Sequence, residues 1–140
     1  MFSDTVTVFN RYKSRLGDMW YPTVIHGANL QIDKAAIIAK YGAESKDNAI
    51  LNIHYQLVDG QIVINGKPYL PPKEWDVQTN DKLPNTITFT GGTDFDFFVL
   101  GEYPVIDPIA DDDYLDGFYN HVNSSYDFVF SISSVAQYST

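Results

Sequence analysis

The clearest signal along the chain is apolar and polar side chains alternating over short stretches, the two-residue period of a strand with one buried face. Thr5-Val6-Thr7-Val8-Phe9 opens this pattern with β-branched residues. Residues 10–18 carry charges and Gly17, and read as a turn or loop. Trp20-Tyr21-Pro22-Thr23-Val24-Ile25 resumes an extended pattern, with Pro22 pointing to a sheet edge or a strand start. His26-Gly27-Ala28-Asn29 breaks it, and Leu30-Gln31-Ile32-Asp33 alternates again. Residues 34–40 fit a short helix and a continued strand equally well, because so short a run is not arbitrated by its length. Residues 41–48 are polar and are expected to form a mobile loop, before a strand over 49–55.

Gln61-Ile62-Val63-Ile64 precedes Asn65-Gly66, the strongest short hairpin-turn dipeptide, with Lys67-Pro68-Tyr69-Leu70 as the return arm. Pro71 and Pro72 lack N–H donors, so residues 71–75 are expected to be a stiff extended connector ending in Trp75. Thr86-Ile87-Thr88-Phe89-Thr90 reads as a further strand, and residues 95–100 as the next after Gly91-Gly92. Leu115, Phe118, Tyr119 and Val122 fall at i, i+3, i+4 and i+7, one apolar face of a short helix. Asp111-Asp112-Asp113 would supply its N-cap and favourable charge at its positive end. Residues 128–132 form a last strand. The count is about seven or eight strands against one or two helices, which predicts a mainly β fold, a small β-barrel or sandwich. The helix lies in the C-terminal half. The chain of 140 residues reads as a single β-barrel-like domain, with 59–85 as an extended, Pro-rich hairpin and loop excursion.

Charge changes the picture of partners. Nine basic against eighteen acidic side chains give a formal charge of -9, which argues against gripping nucleic acid through its phosphates. A solvated acidic surface is the simpler reading, and such a surface would also let DNA pass without sticking. There are no cysteines, so a disulfide scaffold, a thiol nucleophile and Cys-based metal sites are excluded. Apolar runs are too short for a spanning helix, and Met1-Phe2-Ser3-Asp4 lacks the features of a signal peptide.

Candidate chemistry is sparse. His26, His54 and His121 show no zinc-binding spacing, no Gly-x-Ser-x-Gly elbow occurs, and Gly91-Gly92 is not followed by a lysine-bearing helix. Asp107, Asp111, Asp112, Asp113 and Asp116 invite a calcium reading. Aligning Gly117 with the glycine of an EF-hand loop puts Tyr114 and Asn123 at ligand positions, so the motif fails and helix capping is preferred. Trp20, Tyr21, Tyr69 and Trp75 would either stack on a sugar or pack a core, Trp75 being the best candidate for exposure. The expectation is no catalysis, no cofactor and no metal.

One resemblance goes further. An opening strand from Asp4, the run Trp20-Tyr21-Pro22-Thr23-Val24-Ile25-His26-Gly27-Ala28, residues 49–55, Gly66-Lys67-Pro68-Tyr69-Leu70-Pro71-Pro72-Lys73-Glu74-Trp75, Phe98-Val99-Leu100-Gly101-Glu102 and Asp111-Asp112-Asp113-Tyr114-Leu115-Asp116-Gly117-Phe118-Tyr119 follow in order. The whole resembles the small head-completion or neck proteins of long-tailed bacteriophages and Gram-positive prophages, the head-closure or stopper type often labelled minor capsid proteins. It departs from a minimal stopper by the 59–85 excursion and the helix after Asp113, so adaptor and tail-completion roles stay open.

The resemblance implies a virion protein in the neck between head and tail, made in the host cytoplasm. Its copies would close in a ring, expected six-fold, against adaptor or portal and tail proteins. DNA would pass through the channel without specific binding, and no membrane would be involved. Neighbour contacts are assigned to Tyr69, Pro71, Pro72, Trp75, Asp111, Asp112 and Asp113, and strand pairing with another subunit to 86–90. Tyr41, Glu44 and Asp47 are the lumen-facing candidates, in the 41–48 loop. The alternative is a β-barrel carbohydrate- or peptide-binding module built on Trp20, Trp75 and Tyr69.

Overall fold

Strand β1 (Asp4–Tyr12) is the axis of the protein because both of its faces are covered. The computed structural model describes residues 3–32, 49–91 and 95–132. β1 pairs antiparallel with β2 (Met19–Ile32) on one side and β7 (Phe97–Leu100) on the other. Strand β3 (Ala49–Asn52) extends the sheet beyond β2, and β9 (Val129–Ser131) extends it beyond β7. The two-residue strand β8 (Ile109–Ala110) pairs with the start of β2, completing six strands. A second sheet has the order β4 (Gln56–Val58), β5 (Gln61–Ile64), β6 (Lys67–Pro68). The described residues also hold two short helices, α1 (Pro72–Asp76) and α2 (Phe118–Ser125), and two 3-10 turns, Leu83–Asn85 and Asp111–Asp113. The fold is mainly β, as expected, and its larger sheet curls into a half-barrel.

Strand periodicity sorts the core into two layers. Phe9, with Trp20, Phe97, Val99 and Val129 at matching register, faces α2, whose Phe118 and Val122 complete that cluster together with Tyr103 and Ile109. Phe9 stacks on Phe97 at 4.8 Å between centroids and meets Phe118 edge-on at 5.1 Å. Such pairs add about 0.5–1.5 kcal/mol each beyond the area they bury. On the opposite face, Val6, Val8, Ile25, Phe98 and Phe130 pack against Ile64 and Ile87. Farther along that face, Tyr21 packs with Trp75 and Leu83, flanked by Tyr12 and Met19. The small sheet, α1 and the stretch that follows it therefore form the second layer over this side of the large sheet.

Several local expectations are corrected. The chain does not break at 26–29: β2 runs through, and the register shift between Asp4 and Val6 absorbs an extra residue as a bulge at Gly27, whose φ is 73°. The strand expected over 49–55 ends at Asn52. Residues 71–75 are not extended throughout. Pro71 is (φ -56°, ψ 151°), but Pro72 opens α1. A proline needs no N–H at the first helical position, and its φ is already helical. Residues 86–90 do not form an exposed strand either. Ile87 makes an isolated parallel bridge with Tyr69, and both Ile87 and Thr88 are buried. The stretch expected over 95–100 begins pairing at Phe97.

The helix in the C-terminal half starts later than the apolar spacing predicts. Asp111–Asp113 form a single 3-10 turn, Tyr114 is extended, and α2 begins at Phe118. Leu115, placed by the pattern on the apolar face, is 100% exposed. The 33–48 segment, with the short helix-or-strand run, the expected loop and Tyr41, Glu44 and Asp47, lies outside the described residues.

Candidate functional site

Two groups of side-chain hydrogen bonds, one partly and one fully buried, join segments distant in sequence. The first ties β1, β2, the Asp111–Asp113 turn and α2 together. Trp20, 1% exposed, donates its indole Nε1–H to Asp111 Oδ1 at 2.9 Å. The same oxygen accepts the backbone N–H of Phe118 at 2.9 Å, the first residue of α2. Asp111 N in turn donates to Asp18 O at 2.9 Å, and Arg11 pairs with the Asp18 carboxylate at 2.7 Å. The Arg11 guanidinium also sits 5.4 Å from the Trp20 ring centre. Asp111 thus does cap the helix, but from seven residues away and alone of the three. Asp112 and Asp113 are exposed.

The second place lies in the middle of the opposite face, between the Val6–Val8 cluster and the Trp75 cluster. Asn10 and Asp96 are both buried there. Asp96 Oδ2 accepts Asn10 Nδ2 at 3.0 Å and the backbone N–H of Thr90 at 2.9 Å, while Oδ1 accepts the N–H of Arg11 at 2.8 Å. Asn10 Nδ2 also donates to Thr88 O at 2.6 Å. Burial drives the Asp96 carboxyl up to about 7, opposed by the donors from Arg11, Asn10 and Thr90 and helped by the negative charge of Asp76. This pair was missed from sequence. The one available sign was that Asn10 continues the inward-facing positions of Val6 and Val8, where an apolar residue is the rule.

The aromatic segment assigned to neighbours behaves differently from expectation at its key residue. Trp75 is 1% exposed and sits edge-on to Tyr12 and Tyr21 at 6.2 and 5.8 Å. It is a core residue, corrected from the best candidate for exposure. With Trp20 equally buried, neither indole presents a face to a sugar. Tyr69 is half-buried and stacks on Phe89 at 5.9 Å, and burial raises its phenol above the ordinary range. Pro71 is exposed and Pro72 partly so. Lys67, half-buried, donates to Thr23 Oγ1 at 2.9 Å, and burial holds the pKa of its ammonium below the ordinary value.

Of the sequence-assigned residues, the fold therefore brings Asp111 to Trp20 at one end of the sheet, and Tyr69 and Trp75 to the opposite layer. Among the described residues, no three His, Cys, Asp or Glu side chains are grouped to hold a metal ion. No helix among them is long and apolar enough to cross a membrane. Chemically, both polar nodes act as joints: each carboxylate gathers N–H donors from segments distant in sequence.

No curated protein and no solved structure matches the chain. A match over residues 1–139 places it in the Family of unknown function (DUF6751), and the chain belongs to that family.

Proposed function

We propose that the protein is a structural component of the bacteriophage neck, of head-closure or stopper type, assembling as a ring that retains packaged DNA and receives the tail. The observation that carries this reading is where the residues of the resemblance lie. Trp20, Asp111 and Phe118 form one joint, and Tyr69 and Trp75 belong to the layer over the opposite face. These residues serve shape, which is what an assembly subunit needs from its sequence. The charge of -9 supports the same reading, since carboxylates along a channel repel phosphates and let DNA slide.

A ring requires two different complementary patches on each subunit, because only head-to-tail contacts close a cycle beyond two copies. Exposed Pro71, Asp112 and Asp113 remain on the surface for such contacts. The test is deletion of the gene from a phage or inducible prophage that carries it, followed by electron microscopy of the particles. DNA-empty or tailless heads, restored by supplying the gene in trans, are the expected result. Intact infectious particles overturn the proposal.

A further inference from the structure

Among the described residues, the small sheet ends in an open edge. Strand β4 pairs with β5 on one side, through Gln56↔Val63, Leu57↔Ile62 and Val58↔Gln61. Asp59 and Gly60 join the two strands with φ of 51° and 82°, the positive pair of a two-residue type I′ hairpin. In such a hairpin the residues flanking the turn exchange both backbone bonds, and the pairs then alternate. Leu57 and Ile62 are thus the non-bonded pair. The bond from Tyr69 N to Ile62 O at 2.8 Å agrees, since it shows Ile62 turned toward β6 and away from β4. Leu57 therefore directs its own N–H and C=O outward, past the edge of the sheet.

Side chains follow the same line. Leu57, Ile62, Tyr69 and Ile87 stand in one row across the small sheet and onto the bridge beyond it. Burial along the row falls steadily toward the edge: Ile87 is buried, Ile62 and Tyr69 are half-buried, and Leu57 is 64% exposed. Val58, on the other face of the strand, is 50% exposed. The apolar layer does not stop at the last strand. Soluble proteins ordinarily protect such an edge with charge or proline, and β4 carries neither.

We propose that a second copy of this chain pairs with this edge, β4 against β4 in antiparallel register about a two-fold axis centred on Leu57. Two observations select a second copy over another occupant. The edge is self-complementary: placing Leu57 opposite its counterpart lets the two residues exchange both outward bonds, and sets Gln56 opposite Val58 on either side. The charge is also permissive. Residues 49–72 contain one acid, Asp59, and one base, Lys67, within a chain of net charge -9. Two copies therefore bring few like charges into the contact itself, and a basic partner would find little to pair with. The union makes one six-stranded sheet from two three-stranded ones and buries Leu57 twice. A two-fold contact closes on itself, so it neither builds nor needs a ring and stands apart from the neck reading.

Because the chain has no cysteine, Leu57→Cys introduces a single thiol, and a bonded antiparallel pair at about 5.5 Å between Cα atoms lies within disulfide reach. Under mild oxidation Leu57→Cys is expected to cross-link to a dimer at least ten times faster than Leu16→Cys, a thiol at a still more exposed position in the loop between β1 and β2. A mixture of Gln56→Cys and Val58→Cys is expected to cross-link faster than either alone, which fixes the register. Sedimentation of the unsubstituted chain at increasing concentration needs no variant and is expected to show a monomer–dimer equilibrium. Equal cross-linking rates at 57 and 16, or a monomer at every concentration, overturn the proposal and leave the edge to a different protein.

Discussion

The indole N–H of Trp20 and the carboxylate of Asp111 meet at 2.9 Å across 91 residues of sequence. The same carboxylate oxygen holds the first N–H of α2, so one side chain fixes the angle at which the helix docks on the sheet. Phe118 then drops into the cluster of Phe9, Trp20 and Phe97.

Removing this joint is expected to be costly. Asp111→Ala leaves the Trp20 N–H buried without its partner and uncaps α2, for a loss of about 2–4 kcal/mol. Asp111→Asn keeps an acceptor at Oδ1 and is expected to recover at least half of that. Asp112→Ala, at an exposed position, is expected to stay within about 0.5 kcal/mol of the parent. Urea denaturation of the three variants checks the order.

Asp96 makes stability depend on pH. In the folded chain its carboxyl protonates at about 7, against an ordinary value of 3.8 in the unfolded chain. Folding therefore favours the protonated form, and the contribution of this group is fully present below the unfolded value. It is lost as pH rises from there through about 7. Urea midpoints measured from pH 5 to pH 8 are expected to fall because of it. Asp96→Asn should flatten that slope. It also brings an amide toward the donors of Arg11, Asn10 and Thr90, so a general loss of about 1–3 kcal/mol is expected alongside. A slope unchanged by the substitution would assign the pH dependence to another group.

Trp75 offers a separate check on the corrected aromatic assignment. Trp75→Ala empties a large buried site and is expected to cost about 3–5 kcal/mol. Its Nε1 has no hydrogen-bond partner among the described residues, so Trp75→Phe removes an unsatisfied donor as well as volume. That variant is expected to cost less than half as much. Intrinsic fluorescence of the parent should be blue-shifted, and free sugars should leave it unchanged.

The position of α2 is tested by two residues that the apolar spacing placed on the same face. Leu115 is fully exposed, and Leu115→Ser is expected to leave stability within about 0.5 kcal/mol. Phe118 is fully buried, and Phe118→Ala is expected to cost about 3–5 kcal/mol. Comparable losses at both positions would place the helix start where the sequence pattern alone puts it.

What the sequence determined by itself is local. Alternation marked β1 and the end of β2 at Leu30-Gln31-Ile32, because a strand with one buried face shows a period of two. Asn65-Gly66 named its own hairpin, since few residues accept φ of 50° and 84° in succession. Asp59-Gly60 carries the same signal, and β4, which the alternation does not mark, ends at it. The mainly β class followed from such pieces.

Tertiary structure decided the rest, wherever two segments far apart in sequence had to satisfy one another. A helix after Asp113 was legible, yet its start was set by a carboxylate anchored to Trp20. Pro71 and Pro72 forbid a ladder, but burial of Trp75 against Tyr21 turned the next residues into a helix. Thr86-Ile87-Thr88 has the composition of a strand, and became instead a buried strip over Asn10 and Asp96. Composition tells a residue which local shapes it tolerates. Which shape it takes was settled by the apolar area and hydrogen bonds offered across the sheet, and those belong to partners that adjacent sequence does not contain.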